Sequence, residues 1–216
     1  MGPKPWPWAR VQVWTWARQG ELVNTQVVGT NMDRLACALA KTKKEDEAWR
    51  TIFVKPPAKG WTDTVVAIKP NSIGPHFARD AVMVKICRVL IDVVGVKPSN
   101  IHIYDGCSGG NMLKRTPFNV PEGCAIEEKW GGIDTPTAVP PPWNGKTARC
   151  VKNIVEGVAD IIVNIALCKG HDRPHLGDFT MSMKNHLGTF EPLPAHSLTN
   201  GADYLIAVNQ TREILG

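Results

Sequence analysis

The sequence of 216 residues predicts an α/β fold with a mostly parallel sheet. A β-branched run at residues 64–68 precedes apolar residues at helical spacing over 78–94, and a second strand pattern follows at 100–104. Strand, helix and strand within this length form a βαβ unit, which requires parallel strands and a right-handed crossover. The nearly continuous apolar run at residues 159–167 is typical of a central parallel strand covered on both faces.

The remaining elements are predicted in chain order. Alternating Trp and Val residues near 11–16 indicate a strand, residues 22–28 its hairpin partner, and residues 31–39 a helix whose solvated end is the charged stretch 41–47. A third strand is expected at 124–130, an extended proline-rich loop at 135–143, a short helix at 179–187 and a last helix at 200–214. Gly95 and Gly188 each end a helix. We therefore expect an N-terminal β-hairpin and helix, residues 1–60, packed on an α/β main domain, residues 61–216.

Composition and charge exclude several classes of protein. With 43% hydrophobic and 21% charged residues the chain is not disordered, and no stretch reaches the roughly 20 apolar residues of a membrane span. The net charge of +5 is spread along the chain, so we expect no specific nucleic-acid partner. The first residues lack the apolar stretch of a secretory leader, which predicts a cytoplasmic protein, or an exported one whose leader has been removed. The oligomeric state is not determined at this level.

Six cysteines are present, and none forms a C-x-x-C pair. This excludes zinc-ribbon, ferredoxin-type cluster and thioredoxin motifs. Cys37 and Cys87 have apolar neighbours and are predicted to be small core residues. Cys107 can be read as a nucleophile or as a spectator thiol, and the absence of a histidine nearby in the sequence favours the spectator.

Unusual polar residues follow three of the predicted strands. Ligands of open α/β sheets bind at the carboxyl ends of parallel strands, so these exits are expected to converge on one site. Lys69 and Lys169 would hold a carboxylate or phosphate there, with Lys184 between them, and a desolvated lysine can also act as a base. The three exits read Lys69-Pro70-Asn71, Asp105-Gly106-Cys107-Ser108-Gly109-Gly110 and Cys168-Lys169-Gly170-His171.

Two further features of these exits have alternative interpretations. The glycine-rich turn with Ser108 and Gly109 can present backbone N–H groups to an anion, although it matches no dinucleotide or Walker motif and is otherwise a plain tight turn. His171, His175 and Cys168 are natural ligands for zinc, nickel or iron. Their spacing, with His186 nearby, matches no standard metal motif, so polar loop histidines are the alternative.

Four segments in order resemble the landmarks of a bacterial and archaeal family known only as domain of unknown function family 362. The resemblance covers about Val65 to Gly188, more than half of the chain. The segments are Val66-Ala67-Ile68-Lys69-Pro70-Asn71, Ile103-Tyr104-Asp105-Gly106, Asp160-Ile161-Ile162-Val163-Asn164 leading to Lys169-Gly170-His171, and Thr180-Met181-Ser182-Met183-Lys184-Asn185-His186-Leu187-Gly188.

The resemblance implies a Rossmann-like, three-layer α/β domain but no established reaction. Many members of the family carry a ferredoxin segment or a twin-arginine leader, which this sequence does not show, and members usually continue further, so we expect a truncated chain. The signature residues that the resemblance implies are Lys69, Asn71, Lys169, His171, Lys184 and Asn185.

The preferred hypothesis is an enzyme acting on a small anionic substrate, with metal assistance left open. Lys69 and Lys169 would bind the substrate, and His171 would be a general acid/base or a metal ligand. The alternative is a non-catalytic protein that binds a metal or a metabolite in the same cleft. A third hypothesis is a nucleic-acid-binding or scaffold protein, and only the mild positive charge and the tryptophans support it. The residues expected to contact substrate are Asn71, Asp105, Ser108, Gly109, Lys184 and Asn185.

Overall fold

A five-stranded parallel sheet is the centre of the fold. The computed structural model describes residues 11–12, 25–72, 78–107, 118–143, 146–170, 179–180, 182–197 and 199–215. The predicted α/β class with a mostly parallel sheet is confirmed. The strands of this sheet are β1 (Val11–Gln12), β2 (Val66–Pro70), β3 (Ile101–Asp105), β4 (Ala125–Glu128) and β7 (Ile161–Ile165), in the spatial order β1, β7, β2, β3, β4.

One face of the sheet is covered by three helices. These are α1 (Thr25–Ala40), α2 (Glu45–Ile52) and α3 (Asp80–Arg88), and α3 continues as π-helical turns over Val89–Val94. Gly95 ends that helix with φ of 96°, as the sequence predicts. Alternate strand residues such as Ile68, Ile103 and Val163 point into this layer, where they are fully buried. Apolar burial at about 25 cal/mol per Å² makes this layer a main source of stability.

The opposite face of the sheet is covered by short elements. They are the antiparallel hairpin β5 (Thr135–Ala138) and β6 (Thr147–Cys150), with α4 (Lys152–Val155), α5 (Gly201–Asn209) and α6 (Arg212–Leu215). Ala67, Tyr104 and Ile162 point from the sheet into this second core. The two cores on opposite faces make the three layers of the fold.

The strand register brings the three predicted exits to one edge. β2 pairs in parallel with both β3 and β7, with Ile68 opposite Ile103 and Lys69 opposite Asn164. The carboxyl ends of β2, β3 and β7 therefore lie side by side. After β7, the short strands β8 (Lys169–Gly170) and β9 (Phe179–Thr180) pair as an antiparallel hairpin. Single 3₁₀ turns complete the described elements, at Trp61–Asp63, Pro98–Asn100, Lys184–His186 and Leu193–His196.

The prediction of an N-terminal hairpin is wrong for the residues that the structure describes. Residues 25–28, assigned to the return strand, are the first turn of α1, and β1 pairs in parallel with β7. Residues 13–24 lie outside the described residues. Burial of Met32, Asp33 and Ala36 against the other helices explains why this segment is helical despite its β-branched residues. The division at residue 60 stays a prediction, although α1 and α2 share one core with the sheet.

Four other element predictions are corrected. The charged stretch 41–47 is not only a solvated end: α2 begins at Glu45, and its acidic first turn suits the positive end of the helix dipole. Residues 135–138 of the proline-rich loop form a strand because they pair with Thr147–Cys150. The short helix predicted at 179–187 is replaced by β9, because Phe179 and Thr180 pair with β8, and by the 3₁₀ turn at Lys184–His186. The last helix is interrupted at Gln210 and Thr211, where the Thr211 hydroxyl donates to Val208 O. The described part of the chain contains no helix with the length and apolar character of a membrane span.

Candidate functional site

A buried ion pair joins the carboxyl ends of β2 and β3. Lys69 Nζ lies 3.2 Å from Asp105 Oδ2, and each side chain is only 1% exposed. Lys69 is the penultimate residue of β2 and Asp105 ends the neighbouring β3, so the parallel register brings their side chains together. Removing two charges from water costs free energy. The attraction between the charges offsets this cost only where each charge has further hydrogen bonds.

Both charges of the pair have such hydrogen bonds. Lys69 Nζ also donates to Pro70 O at 2.9 Å. The carboxylate of Asp105 accepts from the hydroxyl of Ser72 and from the backbone N–H of Cys107, the latter at 3.1 Å. Asp105 therefore connects the residues that follow β2 with those that follow β3, and the pair is internally neutral.

A chain of side-chain amides lies beside the ion pair. Asn185 Nδ2 donates to Lys69 O at 3.0 Å and to Asn164 Oδ1 at 2.6 Å. Asn164 Nδ2 in turn donates to Ser182 O at 3.0 Å and contacts His186 Nε2 at 3.1 Å. These contacts attach the 3₁₀ turn at Lys184–His186 to strands β2 and β7.

The amide chain also defines the tautomer of His186. Both amide groups are oriented by acceptors on backbone carbonyls, so Asn164 presents an N–H to the imidazole. His186 Nε2 must then be the unprotonated acceptor, and the neutral ring carries its proton on Nδ1. His186 is 2% exposed and belongs to this network.

Gly188 allows a close approach of the turn to the ion pair. It has φ of 104°, and a Cβ placed there would overlap Asp105 Oδ1 and lie 2.9 Å from Lys69 Cε and 3.0 Å from Cys107 Sγ. Its carbonyl accepts from Gly106 N at 2.7 Å. The glycine predicted to end a helix instead lets the backbone cover the buried charges.

Cys107 has the environment of an unreactive thiol. Burial raises the pKa of this thiol well above its usual range, and the negative charge of Asp105 raises it further. Its sulfur donates to Leu187 O at 3.3 Å. Because the thiolate is the nucleophilic form, these contacts favour the spectator interpretation.

The structure assembles several of the predicted site residues at this edge and leaves others outside its described residues. Asn71 is buried, and its N–H donates to Ile165 O at 3.0 Å, which holds the exit of β2 against β7. Lys184 is half-buried and directly precedes Asn185, and Lys169 lies in β8 after the exit of β7. Four predicted site residues lie outside the described residues, namely Ser108, Gly109, His171 and His175.

The predicted metal site stays a prediction. Cys168 is a half-buried free thiol next to β8, while His171 and His175 are not described. Within the described part of the chain, no three His, Cys, Asp or Glu residues are grouped so that they could hold a metal ion.

Sequence reasoning missed two members of the network, Ser72 and Asn164. Asn164 carried a signal, because it is a polar residue inside an otherwise apolar central strand and is placed opposite Lys69 by the register. Such a residue needs a partner when it is buried. Ser72 carried no comparable signal, since its contact with Asp105 depends on the path of the chain after β2.

Comparison with known proteins gives no relative. No protein-family model, curated protein or solved structure matches this chain. The resemblance to domain of unknown function family 362, and the bacterial origin it suggests, stay predictions.

Removal of the buried cation should cost far more stability than removal of a surface cation. We expect Lys69→Met to lower the free energy of unfolding by about 3–5 kcal/mol, because it leaves Asp105 buried and unpaired. Adding Asp105→Asn should recover much of this loss. Urea denaturation measures the free energy of unfolding of the single and the double variant. The matched control is Lys152→Met, which removes a half-exposed partner 3.7 Å from Glu156 and should cost about 0.5 kcal/mol or less. Equal losses for Lys69 and Lys152, or no recovery in the double variant, would contradict this account of the pair.

Gly188 should tolerate a methyl group less well than another glycine with the same backbone conformation. Gly132 has φ of 108° and nothing within 4 Å of an added Cβ, so Gly132→Ala should cost only about 1–2 kcal/mol of backbone strain. Gly188→Ala adds overlap with Asp105, and we expect a loss above about 4 kcal/mol in the same denaturation experiment. Similar losses at the two positions would show that the close approach to Asp105 is unimportant.

Proposed function

We propose that this chain is an enzyme that binds a small anionic substrate, a carboxylate or a phosphate, at the carboxyl edge of its parallel sheet. The observation that carries the proposal is the Lys69–Asp105 pair, buried to 1% exposure where β2 and β3 end. An apolar pair of similar volume would avoid the desolvation cost, so a buried ion pair at a strand exit supports a functional role. Ligands of α/β sheets bind at this edge.

The geometry favours different roles for the three lysines. The charge of Lys69 is balanced by Asp105 at 3.2 Å, so we assign Lys69 to positioning the strand exits rather than to holding the substrate. The positive charge for an anion then comes from Lys169 and Lys184. One follows the exit of β7 and the other directly precedes Asn185, which the amide chain anchors to β2 and β7.

The proposed chemistry uses the remaining predicted residues. Backbone N–H groups of Ser108 and Gly109 and the amide of Asn71 would hold the anionic group beside the two lysines. His171 would transfer a proton during the reaction as a general acid/base. The Lys69–Asp105 pair and the neutral His186 keep the surrounding backbone in place.

Binding of simple anions tests the lysines directly. Inorganic phosphate and malonate are the probes, because they represent the two anion classes. We expect one of them to stabilise the protein saturably, by about 2.7 kcal/mol at a hundredfold excess over its dissociation constant. Lys169→Met and Lys184→Met should each weaken that binding about tenfold, which is ~1.4 kcal/mol. Lys97→Met is the control, since this exposed lysine precedes β3 at the opposite edge of the sheet.

The proposal fails if neither probe binds, or if both lysine variants bind the probe as tightly as the wild-type protein. Catalysis is tested separately, by incubating small phosphate esters and carboxylic acids with the protein and searching for products by mass spectrometry. Turnover that His171→Ala abolishes, with the fold and probe binding intact, would support the enzyme. A ligand that stabilises the protein and is recovered unchanged would favour a binding protein.

A metal-binding function is the second candidate, and the β8–β9 hairpin favours it. Gly170 pairs with Phe179, and the half-buried Cys168 directly precedes β8, while His171 and His175 come between the two strands in the sequence. Elemental analysis of anaerobically purified protein should then find near-stoichiometric zinc, nickel or iron that is lost in His171→Ala. His196→Ala is the control, because His196 Nδ1 lies 2.8 Å from Pro192 O and so already has a backbone partner. Absence of metal, or equal metal in both variants, would exclude this candidate.

A further inference from the structure

A cavity of about 280 Å³ lies between α4 and α6, outside the candidate site. It is partly open to solvent, and side chains of two kinds line it. The apolar ones are Ile154, Val155 and Ala159, and the charged ones are Glu156, Arg212 and Glu213.

The cavity and the candidate site are at opposite ends of β7. Ala159 shortly precedes β7, so the cavity adjoins the amino end of that strand. Asn164, which belongs to the network of the candidate site, lies near the carboxyl end. A strand of this length spans about 16 Å. A small ligand in the cavity would therefore leave the candidate site unoccupied.

The apolar wall of the cavity is part of the second core. Ile154 and Ala159 are buried in that core, and the half-buried Val155 packs against it. Ile214 is buried in the same core, which fixes α6 beside α4. The wall is therefore held in place from behind, and hydrocarbon that enters the cavity is removed from water against it.

The charged side chains differ in the partners that they already have. In the described part of the chain, the exposed guanidinium of Arg212 has no ion-pair partner. Glu156 is half-exposed and lies 3.7 Å from Lys152, and an exposed pair of this kind contributes little to stability. Glu213 Oε1 accepts a hydrogen bond from the Thr137 hydroxyl at 2.5 Å, which orients that carboxylate. Arg212 and Glu156 are thus available to a ligand.

We propose that this cavity binds a free α-amino acid with an apolar side chain. Arg212 pairs with the carboxylate of the ligand through its planar fork of N–H groups, and Glu156 pairs with the ammonium group. The hydrocarbon side chain packs on Ile154 and Val155. The inference goes beyond the proposed function and does not depend on it.

The size and charge of the cavity favour this class of ligand over others. Its volume is near the lower end of ligand pockets, roughly 300 Å³, which suits a molecule of the size of leucine. A simple acid would face two carboxylates, Glu156 and Glu213, without offering them a donor. A simple amine would leave Arg212 without an acceptor. Only a ligand that carries both charges beside an apolar group satisfies all of these side chains.

Calorimetric titration of the full chain tests the proposal with three probes. They are L-leucine, 3-methylbutylamine, which is leucine without its carboxylate, and 4-methylpentanoate, which is leucine without its ammonium group. All three carry the same branched hydrocarbon. We expect leucine to bind saturably at one site and each analogue to bind at least about tenfold more weakly, because each loses one charge-assisted interaction.

Two variants should separate the two charged contacts. Arg212→Met should weaken leucine about tenfold and leave the affinity for 3-methylbutylamine unchanged. Glu156→Gln should weaken leucine to a similar extent and leave the affinity for 4-methylpentanoate unchanged. Both side chains are exposed, so the fold should be retained. Arg50→Met is the matched control, since this exposed arginine is in the last turn of α2, on the other face of the sheet, and it should bind all probes as the wild type does.

A further variant distinguishes this cavity from the proposed anion site. Lys169→Met should bind leucine as tightly as the wild-type protein, because Lys169 follows the opposite end of β7. Leucine binding that is lost in Lys169→Met and kept in Arg212→Met would overturn the proposal. So would a wild-type protein that does not bind leucine, or one that binds either analogue as tightly as leucine. These last two outcomes need no variant, so the test stands even if a substitution disturbs the fold.

Discussion

The ion pair of Lys69 and Asp105 is the constraint on which the candidate site depends. It lies between two strand ends, and its geometry is possible only because the parallel register places those ends together. Each charge requires further partners, and these come from the end of β2, from Ser72 after it and from Cys107 after β3. Segments that are distant in the sequence are therefore held together, because a buried charge that loses its hydrogen bonds costs free energy.

The amide chain extends the same requirement to β7. Asn164 occupies a position at which an apolar residue would serve a parallel strand, and its amide connects Asn185, Ser182 and His186. A polar network of this kind stabilises only when each member is satisfied, because unsatisfied members are costly in a low-dielectric interior. The turn that carries Lys184 is therefore positioned by β2 and β7, which is the precondition for a lysine to hold a substrate in a defined place.

The two cores on opposite faces of the sheet differ in their elements and in their contact with the candidate site. The helices α1 to α3 form the larger apolar core with one face of the sheet. The opposite layer is made of short elements, and its core reaches the site through Leu187 and Tyr104. β3 contributes to both cores, since Ile103 belongs to one and Tyr104 to the other, and the strand ends in Asp105.

The sequence by itself determined the α/β class, the parallel strands and the convergence of the strand exits. These follow from local patterns: the apolar runs at 64–68 and 159–167, the helical spacing at 78–94 and the polar residues after each strand. The pairing of Lys69 with Asp105 and the tautomer of His186 were decided only by the tertiary structure. The same holds for the strand at 135–138 and for the helix over residues 25–28. Each of these depends on contacts between residues far apart in the chain, and such contacts leave no periodic signal in the sequence.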